Sequence, residues 1–221
     1  MGITRRPLRE EVREAVLERL LDGSIAVGES INEPALAEEL GVSRTPLREA
    51  LLSLERDGIL EARPGRGWWV APLTADVVME LYPIIADLEA LAVRRTPKDA
   101  LDDGFLDELD RINEERYGAV DDPRRSRAID DRWHELLVSR CPNRRLREEI
   151  ASLKGTVVHR YEYPVIRNGR DVEASIRNHA EVTSALRQGK VAQACRALER
   201  QWEAGARMVA DWLERQSGRT T

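Results

Sequence analysis

The stretch from residue 41 to 67, GVSRTPLREALLSLERDGILEARPGRG, constrains this chain more than any other. A tight turn at Gly41-Val42 leads into a helix start, and Arg44, Thr45 and Arg48 crowd its first turns. Leu47, Ala50, Leu51 and Leu54 recur beneath them at helical spacing, which predicts one buried stripe. Asp57-Gly58 stops the helix, because glycine takes the left-handed conformation of a C-terminal cap at little steric cost. A β-prone run at 59–62 then meets the basic turn Pro64-Gly65-Arg66-Gly67, before a second strand over 68–70. Helix, strand, basic glycine turn and strand, in that order, make a winged helix-turn-helix.

The helices that such a unit needs are visible upstream. Residues 8–21 place Val12, Val16, Leu20 and Leu21 on a coarse apolar face, and 34–40 form a short alanine-rich helix ending at Gly41. A short helix, a glycine turn and a longer helix give the helix-turn-helix layout. Two readings of the second helix's start stand: Ser43 caps it, or Thr45 caps it with Pro46 at the first helical position. In this layout the N-terminal residues of the second helix lie nearest the base edges of DNA. Arg44 and Arg48 are four apart and share one face. Arginine there can grip guanine through two parallel bonds, which lysine cannot copy. Free amides at the helix start suit a backbone phosphate. A plain helical hairpin with solvated arginines explains the spacing, but not the cap, the turn and the wing together.

Charge argues against a broad electrostatic footprint. The chain carries a formal charge of -5. Residues 1–72 hold 10 Arg and Lys against 13 Asp and Glu. Non-specific affinity for nucleic acid rests on counterion release by a basic field, and this chain lacks one. Binding must come from a local arginine cluster, doubled by dimerisation.

At 221 residues there is room for two modest domains, divided at Pro72-Leu73-Thr74: 1–72 and 73–221. Thr74 can cap a new helix, with Asp76 near its positive end. Six helices are predicted beyond it, at about 75–95, 99–117, 123–140, 144–163, 171–188 and 190–216. Breaks fall at prolines and glycines, and Pro83 is expected to kink the first of these helices. The fold class is mainly α: an N-terminal winged helix-turn-helix with a small β wing, then an all-α bundle. Cys141 and Cys195 lack the pair spacing of a metal site and read as free thiols. No apolar run is long enough to span a bilayer, and no charged-then-apolar signal stands at the start, so a cytoplasmic location is expected.

Within the bundle, Asp130 and His134 in IDDRWHELL are four apart and project from one helix face, and His179 stands in SIRNHAEV on an otherwise packable helix. A carboxylate with imidazoles suits a divalent ion such as zinc or nickel. The same residues also read as hydrogen-bonded core histidines.

Residues 8–72 resemble the DNA-binding domain of the GntR family of bacterial transcription regulators. The resemblance runs through Gly28-Glu29, Leu36-Ala37, the run from Gly41 to Leu51, Leu54-Glu55, Asp57-Gly58 and the Gly65-Arg66-Gly67 wing. It implies that Arg44 and Arg48 read bases, Ser43 and Thr45 hold phosphate, and Arg66 and Gly67 approach the minor groove. Pro34 stands where some members carry a basic residue.

Residues 75–216 resemble the all-α FCD effector domain of the FadR-like branch, through Leu81-Tyr82, Leu88-Glu89, Asp130-x-x-Trp133-His134, Asn143 with Leu146, Ser175-x-x-x-His179 and Ala185-x-x-x-Gly189. Many such domains hold a metal through one aspartate and three histidines. Asp130, His134 and His179 match three of those positions, while the fourth falls on Gln201, whose amide is a poorer ligand than imidazole. Ile85 replaces an arginine found in many relatives, and His159 matches no ligand position and reads as structural. Asp130, His134, His179 and Gln201 then line the effector pocket, with Arg160 or Arg177 available to clamp a carboxylate.

The resemblance implies a homodimer on a palindromic operator, a repressor released by a small organic acid or related metabolite. Two other classes account for less of the chain. A metal-dependent all-α enzyme built on Asp130, His134 and His179 leaves the winged helix unexplained and shows no nucleophile or base constellation. An effector-independent DNA-binding protein leaves the polar positions of the bundle unexplained.

Overall fold

The apolar stripe beneath Arg44 and Arg48 is the centre of the N-terminal unit. In the computed structural model, which describes residues 7–21, 24–25, 28–56, 58–71, 74–155 and 172–217, Leu47, Leu51 and Leu54 are fully enclosed. They pack with Val12 and Val16 of α1 (Leu8–Leu21), Leu36 and Ala37 of α2 (Glu33–Glu39), and Ile59, Leu60 and Val70 from the wing. Each such leucine contributes roughly 1.5–3 kcal/mol by leaving water.

Helix α3 spans Arg44–Arg56, so Ser43 is the residue that precedes it and Pro46 is its third residue. Proline is tolerated there, because the first four amides of a helix have no intrahelical acceptor. Asn32 caps α2, accepting from the amide of Ala35 at 3.2 Å. The ends of α2 and α3 that frame the reading unit close alike. Gly41 (φ 65°) and Gly58 (φ 67°) take left-handed conformations. In each case a paired set of bonds follows: Gly41 to Glu38 with Val42 to Ala37, and Gly58 to Glu55 with Ile59 to Leu54. This pairing satisfies carbonyls that a bare helix end would leave open.

The wing comprises β2 (Leu60–Arg63) and β3 (Gly67–Val70), antiparallel, with Ala62 opposite Trp68. A strand that the sequence pattern missed, β1 (Ser30–Ile31), pairs antiparallel with the other edge of β3, giving the order β1-β3-β2. Two residues carry too little alternation to be read as a strand.

Contacts divide the chain into a unit of residues 1–73 and a unit of 74–221. The second is all-α. Helix α4 (Ala75–Arg95) begins at Thr74, whose hydroxyl accepts from the amide of Val77 at 3.3 Å. It runs unbroken across Pro83, which lies on its exposed side. A 3-10 turn (Lys98–Ala100) precedes α5 (Asp103–Tyr117), so the helix predicted over 99–117 is divided. The division follows from Asp102, whose carboxylate caps α5 by accepting from the amide of Phe105 at 2.8 Å. Then come α6 (Pro123–Ser139), capped by Asp122, and α7 (Arg144–Leu153), capped by Asn143. Helices α8 (Val172–Arg187) and α9 (Val191–Ser217) complete the unit. The helix predicted over 144–163 ends at Leu153; His159 and Arg160 lie outside the described residues. Helix α9 packs along α4 and against α8, while α5 bridges α6 and α8. Their inward faces enclose the polar cluster described next.

Candidate functional site

Ser43, Arg44, Thr45 and Arg48 are all exposed at the start of α3, opposite its buried stripe. Arg66 and Gly67 are exposed at the wing tip, where Gly65 (φ 71°) and Gly67 (φ 75°) turn the chain and the amide of Arg66 donates to the carbonyl of Arg63 at 2.9 Å. A shallow hollow of about 390 Å³ lies between α3 and the wing, with Arg48, Arg63, Gly67 and Trp68 in its lining. Two features there escaped the sequence reading. Glu33, at the start of α2, accepts from Nε of Arg48 at 2.7 Å, and that bond and charge raise the guanidinium pKa further. Arg63 lies 4.2 Å over the ring of Trp69 on β3. A carboxylate at the first turn of a preceding helix was the available signal for Glu33, but nothing in the chain announced its register with Arg48.

In the second unit, Asp130 and His134 from α6, His179 from α8 and Gln201 from α9 are all buried. The candidate ligand atoms of Asp130, His134 and His179 lie within 4.8 Å of one another. Residues from α4, α5 and α7 surround them. His134 Nδ1 lies 2.8 Å from Oε2 of Glu89 on α4, which also accepts from the indole N–H of Trp202 at 2.8 Å. Asn113 on α5 donates from Nδ2 to the carbonyl of Ile176 at 2.9 Å, so its Oδ1 faces His179 Nδ1 at 3.1 Å as acceptor. Both Nδ1 atoms therefore carry the proton, and both Nε2 atoms present lone pairs. Trp133 lies flat on His179, with centroids 3.7 Å apart and planes within 3°.

The charges are paired. The guanidinium of Arg116, enclosed on α5, forms an ion pair with Asp130 Oδ1 and donates to the hydroxyls of Ser175 at 3.0 Å and Ser126 at 3.3 Å. Lys154, buried just beyond the end of α7, faces Glu89 Oε1 at 3.5 Å. Burial pushes the Glu89 pKa up, but the charge of Lys154, with hydrogen bonds from His134 and Trp202, outweighs burial and holds it below the usual carboxylate range. The arginine inside this cluster is Arg116. Arg177, one of the two expected clamps, is largely exposed and faces Glu173 at 3.7 Å.

One carboxylate and two imidazoles at this separation are a donor set that can hold a metal ion. Each of the three donors is nevertheless already engaged from within. Gln201 Nε2 lies 2.8 Å from Nε2 of His179 and 3.3 Å from Nε2 of His134, donating to both, and Asp130 Oδ1 holds Arg116. An ion placed here would have to break the contacts of the Gln201 amide nitrogen with both imidazoles and share Asp130 with Arg116.

Fold and site together define a class: a winged helix-turn-helix joined to an all-α domain with a buried polar cluster. Residues 8–70 match the model of the bacterial regulatory proteins of the gntR family, and residues 80–204 match the FCD domain. The chain belongs to the GntR family, in the form that carries an FCD domain. It is 39% identical over 131 residues to the uncharacterized HTH-type transcriptional regulator YdhC of Bacillus subtilis, a match covering 58% of each chain. A longer match at 24% identity, over 81% of this chain and 79% of the other, is to the HTH-type transcriptional repressor RspR of Escherichia coli. Among solved structures, E. coli McbR/YncC shares the fold with a TM-score of 0.77 at 21% identity, covering 94% of this chain and 99% of that one. The chain spans three fifths or less of the length of several curated relatives that it matches at 32–39% identity. The family and these relatives are regulators, not enzymes. Among the described residues, no helix is long and apolar enough to cross a membrane.

Proposed function

We propose that this chain is a sequence-specific DNA-binding regulator of transcription, a repressor released by a small organic acid or related metabolite. Residues 1–72 read the operator, and residues 73–221 bind the effector and form a homodimer. The observation that carries this reading is the exposed face of α3, where Arg44 and Arg48 stand beside the glycine-tipped wing and opposite a buried leucine stripe. Arg44 and Arg48 grip base edges, Ser43 and Thr45 hold phosphate, and Arg66 with Gly67 enters the minor groove. Two copies place two α3 helices on half-sites about one helical turn apart or less. The repressor sign is supported by the name of RspR.

The effector site is the cluster of Asp130, His134, His179 and Gln201. Its polar groups converge within apolar walls, as in small-molecule sites generally. Arg116 is the cation nearest an incoming carboxylate. Oε1 of Gln201 is buried and has no hydrogen-bond partner among the described residues, so a hydroxyl on the same ligand would find an acceptor. Were a divalent ion of the zinc or nickel type to bind, Asp130, His134 and His179 are the residues that would hold it, and it would anchor the effector's carboxylate. Release requires that the ligand bind DNA-competent and incompetent dimers with different affinity.

The test is selection of bound duplexes from a random library by the full chain, followed by titration of the selected site. An enriched two-fold symmetric sequence is expected. Uniform recovery of all sequences would sink the proposal.

A further inference from the structure

The geometry points to Gln201 as an internal replacement for the metal ion: its side-chain amide, bonded to both inward-facing imidazole nitrogens, closes the Asp130–His134–His179 cluster, and the FCD unit of this chain is complete without a bound cation. This rests on the effector-site reading only for what the pocket is used for; the network itself stands on the distances.

Three independent features agree. The first is donor direction. Asn113 and Glu89 each take the Nδ1 proton of one histidine, so both Nε2 lone pairs point at the same place, where a cation or a pair of N–H donors must lie. The Gln201 amide supplies that pair, at 2.8 and 3.3 Å. Turning the amide over would set its oxygen against two lone pairs, so the orientation is fixed while no ion is present. The second feature is charge. Asp130 and Glu89 are matched by Arg116 and Lys154, all four of them buried. A divalent cation in this interior would leave an uncompensated double charge, which is costly unless an anionic ligand enters with it. The third is occupancy of the carboxylate. Asp130 Oδ1, the oxygen nearest His179, is already held by the Arg116 guanidinium, itself anchored by Ser126 and Ser175.

A consequence for ligand chemistry follows. With no resident ion, the pocket holds an anionic effector through Arg116 and through the amide of Gln201, and strong chelators of divalent metals have no privileged place among its ligands.

The experiment uses the full-length chain without a histidine tag. Elemental analysis after dialysis and thermal unfolding with and without EDTA are measured for the wild type, Gln201→His and Gln201→Leu. The wild type is expected to carry substoichiometric metal and to melt at the same temperature in EDTA. Gln201→His, which puts imidazole where the amide was, is expected to gain near one zinc per chain and a melting temperature that falls on chelation. Gln201→Leu strips both imidazoles of their donor and is expected to lower the melting temperature without adding metal. Near-stoichiometric metal in the wild type, or a wild-type melting temperature that drops in EDTA, would overturn the inference. The wild-type measurements decide the matter alone if a variant does not fold. Neither readout involves DNA, so failure here is distinguishable from failure of the regulator reading.

Discussion

The same chemical pair, arginine beside a carboxylate, occurs in both halves of this protein and does opposite work. In the N-terminal unit, Arg48 meets Glu33 at 2.7 Å with most of the guanidinium side chain still in water. In the C-terminal unit, Arg116 meets Asp130 with both groups enclosed. An exposed pair is weak and exchangeable, so Arg48 can leave Glu33 for a base at small expense. A buried pair cannot be opened from one side without stranding a charge. One half stores its chemistry on the outside, ready to be transferred to a partner. The other uses it to tie α5, α6 and α8 together inside the bundle.

Removing Arg116 is the harshest way to test that contrast. Arg116→Ala leaves Asp130 buried without its cation and is expected to cost about 3–5 kcal/mol of stability, read by urea unfolding of the full chain. A loss below about 1 kcal/mol, the range of surface pairs, would erase the distinction between the halves. Next in size, Arg48→Ala should weaken operator binding on the order of 10- to 100-fold and relax preference at one base pair, while the melting temperature stays where it was. Unchanged affinity in a quantitative shift titration would remove Arg48 from the reading surface. His134→Ala should keep operator affinity but lose release by the organic acid that frees the wild type, with some fall in melting temperature because Glu89 and the Gln201 amide lose a partner. A normal release curve for that variant would move the effector site elsewhere. Glu33→Gln is the mildest: it removes the charge that holds Arg48 in place, and operator affinity should change by less than about fivefold, with a shift in base preference as the more sensitive readout.

How much of this was legible in the chain differs between the halves for a physical reason. The reading unit is local. Its leucine stripe, caps, glycine turns and arginines fall within 27 consecutive residues, 41–67, and each obeys a short-range rule that periodicity and turn chemistry expose. β1 escaped, being two residues long, and so did the pairing of Glu33 with Arg48 and the stacking of Arg63 on Trp69. The bundle cluster is assembled from afar. Asp130 and His134 could be paired by helical spacing, but Glu89 stands 45 residues from the histidine that it orients, and Arg116 lies 59 residues from Ser175. In the sequence RINEERY, Arg116 is indistinguishable from a solvated arginine; only the packing of α5 between α6 and α8 turns it inward. Arg177, which looked equally able to reach the pocket, stays on the outer face of α8.

The five tryptophans inherit this division in an optical form. Trp68 and Trp69 belong to the wing, the latter beneath the guanidinium of Arg63, whereas Trp133 and Trp202 line the bundle cluster, one stacked on His179 and the other bonded to Glu89. Each half thus carries a pair of intrinsic fluorophores at the place where its ligand would arrive. Replacing one pair with phenylalanine leaves an emission spectrum dominated by the other, with Trp212 on α9 as a constant background. Engagement of DNA and filling of the bundle then become two separate colours of signal, followed in the same cuvette without a label.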